Sequence, residues 1–393
     1  MSQASPATLR SVDIWLLGAT LILLGLGLVM VASSSITSAE RATGQPFYFL
    51  LRQAAYLGVG LVCALIVGRI RLVYWEKHGS LLLLFGLLLL ALVLVPGVGH
   101  TVNGSMRWLP LGPVNLQPSE FAKLVVVIYL AGYLVRHGAN VRDSLQGFFR
   151  PMVLFVVIAA LLLAEPDFGA ALVILATALG MLFLAGARLW QFGALLALAI
   201  SAFGILAIAA PYRLQRLTSF LNPWADPFDS GFQLTQALIA FGRGDWFGVG
   251  LGASIQKLFY LPEAHTDFLF AVLAEELGLA GVLVVIGLFT VVVWRAFALA
   301  QLAVIRSNYF AAYLAWGLGL WIALAAIINL GVNMGLLPTK GLTLPFMSYG
   351  GSSIVASCVA VALLLRVHHE LRLPQRSPTA SRYDRGSPTW QHA

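Results

Sequence analysis

The sequence predicts an all-α polytopic membrane protein with ten transmembrane helices, and two observations support this prediction. Of its 393 residues, 60% are hydrophobic and 10% are charged, whereas soluble domains carry roughly 25% charged residues. Apolar runs of about 20 residues recur along the chain, which is the length that an α-helix needs to cross a ~30 Å hydrocarbon core. The composition therefore excludes a soluble multidomain protein.

Each predicted span is an apolar run bounded by polar segments or by Pro and Gly. The ten runs cover 14–34, 47–67, 79–95, 118–135, 152–164, 168–185, 189–210, 266–294, 309–337 and 350–367. Residues 1–13 form an N-terminal segment ahead of the transmembrane domain, 14–373. A tail rich in Pro, Ser and Arg, 374–393, is expected to be disordered. The longest loop, 211–265, joins the seventh and eighth spans.

The distribution of Lys and Arg predicts the orientation. If the N-terminus is cytoplasmic, the short loops that contain Arg69, Arg136, Arg188 and Arg306 lie on the same side as both termini, and most acids lie on the other. Cytoplasmic loops carry an excess of Lys and Arg, so both termini are predicted to be cytoplasmic and the 211–265 loop extracytoplasmic. The excess of basic residues on that side then faces anionic membrane lipid, which accounts for the net charge of +8. No nucleic-acid partner is expected.

The stretch 257–278, KLFYLPEAHTDFLFAVLAEELG, carries three acids into one predicted span. Ionisable residues at such positions are expensive and are functional candidates by default. Asp267 lies at the mouth of the span, and Glu275 and Glu276 lie about 12–13 Å further along the helix. The two glutamates are therefore expected to find partners inside the bundle, Lys or Arg among them. The helix is expected to continue apolar through Val293.

Less specific interpretations of this stretch stay open at the sequence level. Asp267 could merely cap the helix, because Asp is a good N-cap residue. His265 is more often a packing or loop histidine than a catalyst.

A second candidate region is the loop 103–123, NGSMRWLPLGPVNLQPSEFAK. Glu120 and Lys123 are three residues apart on a helix and could simply pair with each other. Alternatively, Arg107 and Lys123 line a cavity that binds an anion such as a phosphate.

Three further segments complete the outward side. In AEPDFG, Asp167 belongs either to an acidic turn or to a cavity. The segment 212–252 is predicted to contain an interfacial or re-entrant helix from Gly231 to about Phe241, beside the membrane surface. In GLLPTKGLTLPFMSYGGSS, Lys340 lies between two prolines at a membrane mouth, where irregular backbone is tolerated only if it lines a cavity or packs in protein.

Together these residues predict a polar cavity that is open to the outer leaflet, with one carboxylate and several cations. That arrangement suits a reaction on an anionic, lipid-attached substrate, and a proton-coupled transporter fits the same residues.

The motifs NGSMRWLPLGPVNLQPSEFAK, AEPDFG, LPEAHTDFLFAVLAEELG and PTKGLTLPFMSYGGSS resemble those of the SEDS family, the bacterial shape, elongation, division and sporulation proteins. The chain is more similar to the division members than to the elongation members. The resemblance implies a peptidoglycan glycosyltransferase in the bacterial inner membrane that polymerises lipid II at the division septum. It also implies a cognate class B penicillin-binding transpeptidase and other divisome membrane proteins as partners. The family's essential aspartate matches Asp267, and its loop lysine matches Lys340.

In the implied reaction Asp267 acts as general base, and basic residues stabilise the undecaprenyl pyrophosphate of the lipid-linked glycan. The candidate substrate-binding residues are Arg107, Glu120, Lys123, Asp167, Glu275 and Lys340. A divalent ion such as Mg²⁺ or Mn²⁺ could share the neutralisation of charge, but no carboxylate cluster has convincing ligand spacing, so no metal ligand is assigned. A lipid II flippase and a non-catalytic scaffold that recruits the transpeptidase are the alternatives.

Overall fold

The computed structural model describes residues 12–373, except 103–104, 113, 189, 192, 195, 198–200, 202–203, 205–219, 230, 259–260, 262 and 339–340. Ten helices are bounded within these residues: α1 Ile14–Thr43, α2 Tyr48–Arg69, α3 Leu72–Val93, α4 Pro118–Asp143, α5 Leu145–Ala164, α6 Phe168–Leu184, α7 Phe232–Gly244, α8 Leu269–Ile305, α9 Tyr309–Asn333 and α10 Gly351–Arg372. A short 3₁₀ turn, Pro223–Ala225, precedes α7.

The helices have the length and hydropathy of a membrane bundle. Among the described residues, seven helices are long and apolar enough to cross a bilayer, namely α1 to α4 and α8 to α10. The predicted fifth and sixth spans correspond to the shorter apolar helices α5 and α6. The predicted seventh span, 189–210, falls largely outside the described residues. A mostly helical, multi-pass architecture is confirmed.

Several helices run beyond their apolar segments, so the predicted loops were too long. Helix α1 continues to Thr43, and α4 continues to Asp143 through a non-helical residue at His137. The predicted turn between the second and third spans, 69–78, is shorter in the structure because α3 already starts at Leu72. The backbone N–H of Leu72 donates to Glu370 Oε1 at 2.9 Å. Hydropathy detects only the part of a helix that lies in lipid, whereas backbone hydrogen bonding continues into polar turns.

The loop between α3 and α4 corrects the all-α prediction. It forms a small antiparallel sheet of three strands, β1 His100–Val102, β2 Ser105–Leu111 and β3 Val114–Leu116, in the order β1-β2-β3. His100 pairs with Trp108, and Leu109 pairs with Leu116. The central strand β2 thus holds Arg107 on a rigid ladder instead of a mobile loop.

Helix α8 contains a break that the sequence interpretation missed. Gly278 has φ +65° and ψ −166°, a conformation that is essentially restricted to glycine. The segment 245–250 crosses this break: Leu279 N–H donates to the Asp245 carbonyl at 2.8 Å, and Val249 N–H donates to the Glu275 carbonyl at 3.0 Å. The predicted span 266–294 did not include this break. Residues 269–277 form a separate nine-residue helical segment, here called the half-helix.

We expect Gly278→Ala to destabilise the protein strongly. A Cβ at this position would lie 2.4 Å from the backbone nitrogen of Gly248, and the backbone conformation alone costs about 1–3 kcal/mol for other residues. Gly287→Ala is the matched control, because this glycine of α8 has open space around it. Thermal unfolding in detergent should show a large loss for Gly278→Ala and none for Gly287→Ala; equal midpoints would contradict this account of the break.

The bundle brings several helix ends to one side. Helices α4, α9 and α10 are largely buried at its centre, whereas α2 and α3 expose most of their apolar surface, as lipid-facing helices do. Gln117 N–H, before α4, donates to Ser352 Oγ of α10 at 2.8 Å, and Ser119 Oγ donates to Asp167 Oδ2 at 2.9 Å. The starts of α4, α6, α8 and α10 and the end of α9 therefore meet.

Candidate functional site

Asp267 is held by its backbone at this meeting point. Its carbonyl oxygen accepts hydrogen bonds from Asn329 Nδ2 at 3.0 Å and from Asn333 Nδ2 at 2.9 Å. The two asparagines are four residues apart on α9 and so share one face. Asn333 Oδ1 also accepts from the backbone N–H of Ala271 in the half-helix, at 3.1 Å. Two buried amides of α9 thus fix the start of α8 and the position of Asp267.

The carboxylate of Asp267 is not used for helix capping. The N-cap position of α8 is Phe268, which makes no side-chain capping bond. Within the part of the chain that the structure describes, no donor bonds to the Asp267 carboxylate. Gly341 lies directly beside it, since a Cβ there would be 3.0 Å from Oδ2. The capping interpretation was wrong.

The environment of Asp267 raises its pKa to about 7. Burial is the main cause, because it penalises the charged form. The negative charges of Glu263 and Asp167 act in the same direction, whereas the positive charge of Arg107 opposes them. A carboxyl group with this pKa can accept a proton near neutral pH and release it again. The sequence candidates Arg107, Asp167 and Asp267 therefore lie within electrostatic reach of one another.

Arg107 is positioned by backbone carbonyls. Its Nη2 donates to the carbonyl oxygen of Pro166 at 2.6 Å, and its Nε lies 3.4 Å from that of Glu165. Among the described residues, no carboxylate oxygen lies within 4.0 Å of its guanidinium, the distance of an ion pair. The guanidinium is oriented by two backbone carbonyl oxygens, and no carboxylate among the described residues pairs with it.

Asp167 has a structural role in this site. Its Oδ1 accepts the backbone N–H of Ala170 at 3.1 Å and caps α6, while its Oδ2 accepts from Ser119 Oγ and, at 3.4 Å, from Gln117 Nε2. Both oxygens of this buried carboxylate are engaged. Asp167 joins the starts of α4 and α6, and it acts on Asp267 through its charge.

Glu165 was not among the predicted site residues. Its side chain is fully buried, and neither carboxylate oxygen has a hydrogen-bond partner among the described residues. Burial, together with the charge of Asp167, raises its pKa to about 8, against the opposing effect of Arg107. Burial therefore favours the protonated, neutral form of this carboxyl group near neutral pH. The available signal was its place in AEPDFG, directly after an apolar helix.

We expect Glu165→Gln to preserve the fold and to change the pH dependence of stability. Between about pH 4.5 and 8 the folded state holds a proton here that the unfolded state releases, so this group makes stability fall as pH rises. The glutamine variant should lose that contribution. Its stability relative to that of the unmodified protein should therefore be higher at pH 8 than at pH 5. Unfolding midpoints across this range test it, with the exposed acid of α1 substituted in Glu40→Gln as the control; identical pH profiles for Glu165→Gln and the unmodified protein would refute it.

The remaining acids of the predicted site are paired with cations. Lys123 Nζ lies 2.7 Å from Glu120 Oε1, and both side chains are buried. The simpler interpretation of these two residues, a pair within one helix turn, is confirmed.

Glu275 and Glu276 are fully buried and fasten the half-helix to two different neighbours. Glu275 accepts from Arg243 and Ser254, both at 2.5 Å, and from the backbone N–H groups of residues 255 and 256. Glu276 accepts from Lys257 Nζ at 2.6 Å and from Ser33 Oγ of α1 at 2.7 Å. The predicted cationic partners are confirmed.

Two other predicted residues have less direct outcomes. His265 is a packing residue: its ring lies 4.7 Å from that of Phe49, and its carbonyl accepts Tyr349 N–H at 2.9 Å. Burial lowers the pKa of His265. Lys340 lies outside the described residues. Within the described residues, no group of three or more His, Cys, Asp or Glu side chains is arranged to hold a metal ion.

Comparison with known proteins identifies the family. Residues 14–373 match the model of the FtsW/RodA/SpoVE family, described as cell cycle proteins. The chain belongs to this family. Two relatives of the chain are described as "Probable peptidoglycan glycosyltransferase FtsW". The one from Thioalkalivibrio sulfidiphilus is 63% identical, covering 92% of this chain and 90% of the relative, and the one from Legionella pneumophila is 56% identical, covering 92% and 91%.

Solved structures of the FtsW/RodA/SpoVE family share the fold. Rod shape determining protein RodA of Thermus thermophilus matches with a TM-score of 0.67 and 28% identity, over 92% of this chain and 97% of that one. A chain from the structure "Structural coordination of polymerization and crosslinking by a peptidoglycan synthase complex" matches with a TM-score of 0.77 and 30% identity, over 92% and 98%. The family resemblance inferred from the motifs is confirmed.

Proposed function

We propose that this chain is a peptidoglycan glycosyltransferase that polymerises lipid II into glycan strands at the division septum. The observation that carries the proposal is the Asp267 carboxylate, which is positioned by two asparagines, accepts no hydrogen bond from the described residues and has a pKa of about 7. The relatives named peptidoglycan glycosyltransferase, up to 63% identical among those compared above, support this assignment.

In this reaction Asp267 acts as the general base. The acceptor sugar's 4-hydroxyl attacks the anomeric carbon of the donor and forms the new glycosidic bond. Its proton passes to the Asp267 carboxylate as the bond from the anomeric carbon to the lipid pyrophosphate breaks. A base with a pKa near the working pH is suited to this transfer, because it is partly deprotonated and still basic enough to accept the proton.

The pyrophosphate leaves with additional negative charge, which cations must stabilise. Arg107 is the leading candidate, because its guanidinium is oriented by carbonyl oxygens and has no ion-pair partner within the described part of the chain. Lys340 is a second candidate, since it precedes Gly341, the glycine beside Asp267. Lys123 and Glu120 form a buried ion pair beside the site. Glu275 anchors the half-helix through its hydrogen bonds. No step is assigned to a metal ion.

The ten-span topology with both termini in the cytoplasm, and the extracytoplasmic position of the 211–265 loop, belong to the same proposal. They place Asp267 at the outer leaflet, where the lipid-linked sugar is polymerised. The partner is the cognate class B penicillin-binding transpeptidase, which cross-links the strands, together with other divisome membrane proteins. The similarity to a chain of a peptidoglycan synthase complex supports such a partnership.

Glycan synthesis from purified lipid II in detergent tests the proposal, with the protein alone and in complex with its transpeptidase. Long glycan strands that form in the complex are expected. Transport of lipid II across vesicles without any strand product would favour a flippase. Absence of both activities in an intact complex would favour a scaffold.

A further inference from the structure

A groove lies beside helix α1, away from the Asp267 carboxylate. It has a volume of about 510 Å³ and is lined by apolar side chains from α1, from the start of α2 and from the segment 251–258. The residues that matter here are Val29, Ala32, Ile36, Leu50, Leu251 and Leu258. We call it the α1 groove. Its polar end is formed by Ser33 and Lys257, which bind the buried Glu276 of the half-helix.

The groove suits a hydrocarbon chain. The lining part of α1 extends from Leu28 to Thr37, a rise of only about 14 Å. A partner's transmembrane helix needs a contact face along a ~30 Å core, more than twice that length. An extended peptide would bring unsatisfied backbone groups into an apolar site. The Lys257 ammonium is already neutralised by Glu276 at 2.6 Å, so the groove does not select a second charged group.

The groove is accessible from the side that faces lipid. Val29 is 45% exposed on a membrane-spanning helix, and Leu251 and Leu258 are 59% and 41% exposed at the other wall. The evidence for binding is the concave shape of this apolar surface, because small-molecule sites are concave and mostly apolar, whereas the flat apolar faces of α2 and α3 only contact lipid.

Two connections join the groove to Asp267. Leu50 of the groove wall follows Phe49, whose ring packs 4.7 Å from His265, two residues before Asp267. At the other end, Glu276 lies on the half-helix that begins just after Asp267. At the helical rise per residue, Asp267 and Glu276 are about 13–14 Å apart along the helix axis. The wall of the α1 groove is thus in direct packing and ion-pair contact with the two segments on either side of Asp267.

We propose that the α1 groove binds the prenyl chain of a lipid-linked sugar substrate. This inference rests on the proposed glycosyltransferase function and adds to it a chain-binding site. The groove selects a long hydrocarbon chain, and the Lys257–Glu276–Ser33 cluster joins the groove wall to the half-helix that positions Asp267.

Filling the groove should impair use of the long-chain substrate only. In Val29→Trp the indole occupies the groove, and KM for full-length lipid II should rise about tenfold, the equivalent of losing the burial of about two methylene groups. A short-chain analogue with the same disaccharide pyrophosphate head should be used equally well by both proteins. Ile22→Trp is the matched control, since Ile22 is an exposed aliphatic residue of α1 outside the groove. An equal change for both substrates, or the same change in Ile22→Trp, would overturn the inference.

Crosslinking on the unmodified protein provides a test that does not depend on a variant. Lipid II with a photoreactive group in its prenyl chain should label residues 28–37 or 251–258, and excess unlabelled lipid II should reduce the labelling. Competition by phospholipid alone would assign the groove to bulk lipid and refute the proposal. Polymerisation without labelling at these residues would refute it too, while leaving the proposed function intact.

Discussion

Asp267→Asn should abolish glycan polymerisation while the protein stays folded. The asparagine keeps the size of the side chain, and the backbone bonds from Asn329 and Asn333 do not depend on the carboxylate. General base catalysis typically contributes about 10²- to 10⁴-fold, so the rate of strand formation should fall by at least about 100-fold. Glycan synthesis in the intact complex measures this rate, and an unchanged unfolding midpoint shows that the variant is folded. Normal synthesis by Asp267→Asn would exclude this residue as the base.

The pH profile of the unmodified enzyme follows from the same group. Asp267 must be deprotonated to act as base, and its pKa is raised to about 7. The specificity constant should therefore fall about tenfold per pH unit below 7 and level off above it. Arg107→Ala removes a positive charge that lowers this pKa, so the rising limb should shift to higher pH. A limb centred near pH 4 would contradict the buried site.

Lys257→Ala should cause one of the largest losses of stability in the chain. Lys257 is the cation bound to Glu276, which is fully buried in the half-helix. Removing one partner of a buried ion pair leaves the other charge uncompensated, at a cost of about 3–5 kcal/mol. Unfolding in detergent should show this loss, and polymerisation should fall because Asp267 lies directly before the half-helix.

The double variant Lys257→Met/Glu276→Gln is the control for this prediction. Removing both charges together avoids the uncompensated carboxylate, so much of the stability should return. Arg243→Ala should cost less than Lys257→Ala, because Glu275 keeps Ser254 and two backbone donors. A double variant as unstable as Lys257→Ala would show that side-chain packing, and not the pairing of charges, stabilises this contact.

Much of the site was predictable from residue type and position. Asp267, Arg107 and Asp167 stand beside apolar runs, where the cost of burying ionisable groups indicates a role, and the structure brings the three within electrostatic reach. The partners of Glu275 and Glu276 follow from the same cost. Local rules did not distinguish a structural acid from an available one. The Asp167 carboxylate accepts hydrogen bonds from Ser119 and from the backbone N–H that it caps. The Glu165 carboxylate, two residues earlier, has no hydrogen-bond partner among the described residues.

The sequence by itself determined the membrane class, most helix positions and the family, because apolar run length and motif order are properties of the linear chain. The tertiary structure decided which charges remain available and where the helices break. The break at Gly278 depends on the segment 245–250, which supplies its hydrogen bonds from a distant part of the sequence. Likewise, the position of Asp267 depends on two amides of α9, which bond to its backbone carbonyl and not to its carboxylate. Such contacts join residues far apart in sequence, and periodicity within one segment contains no information about them.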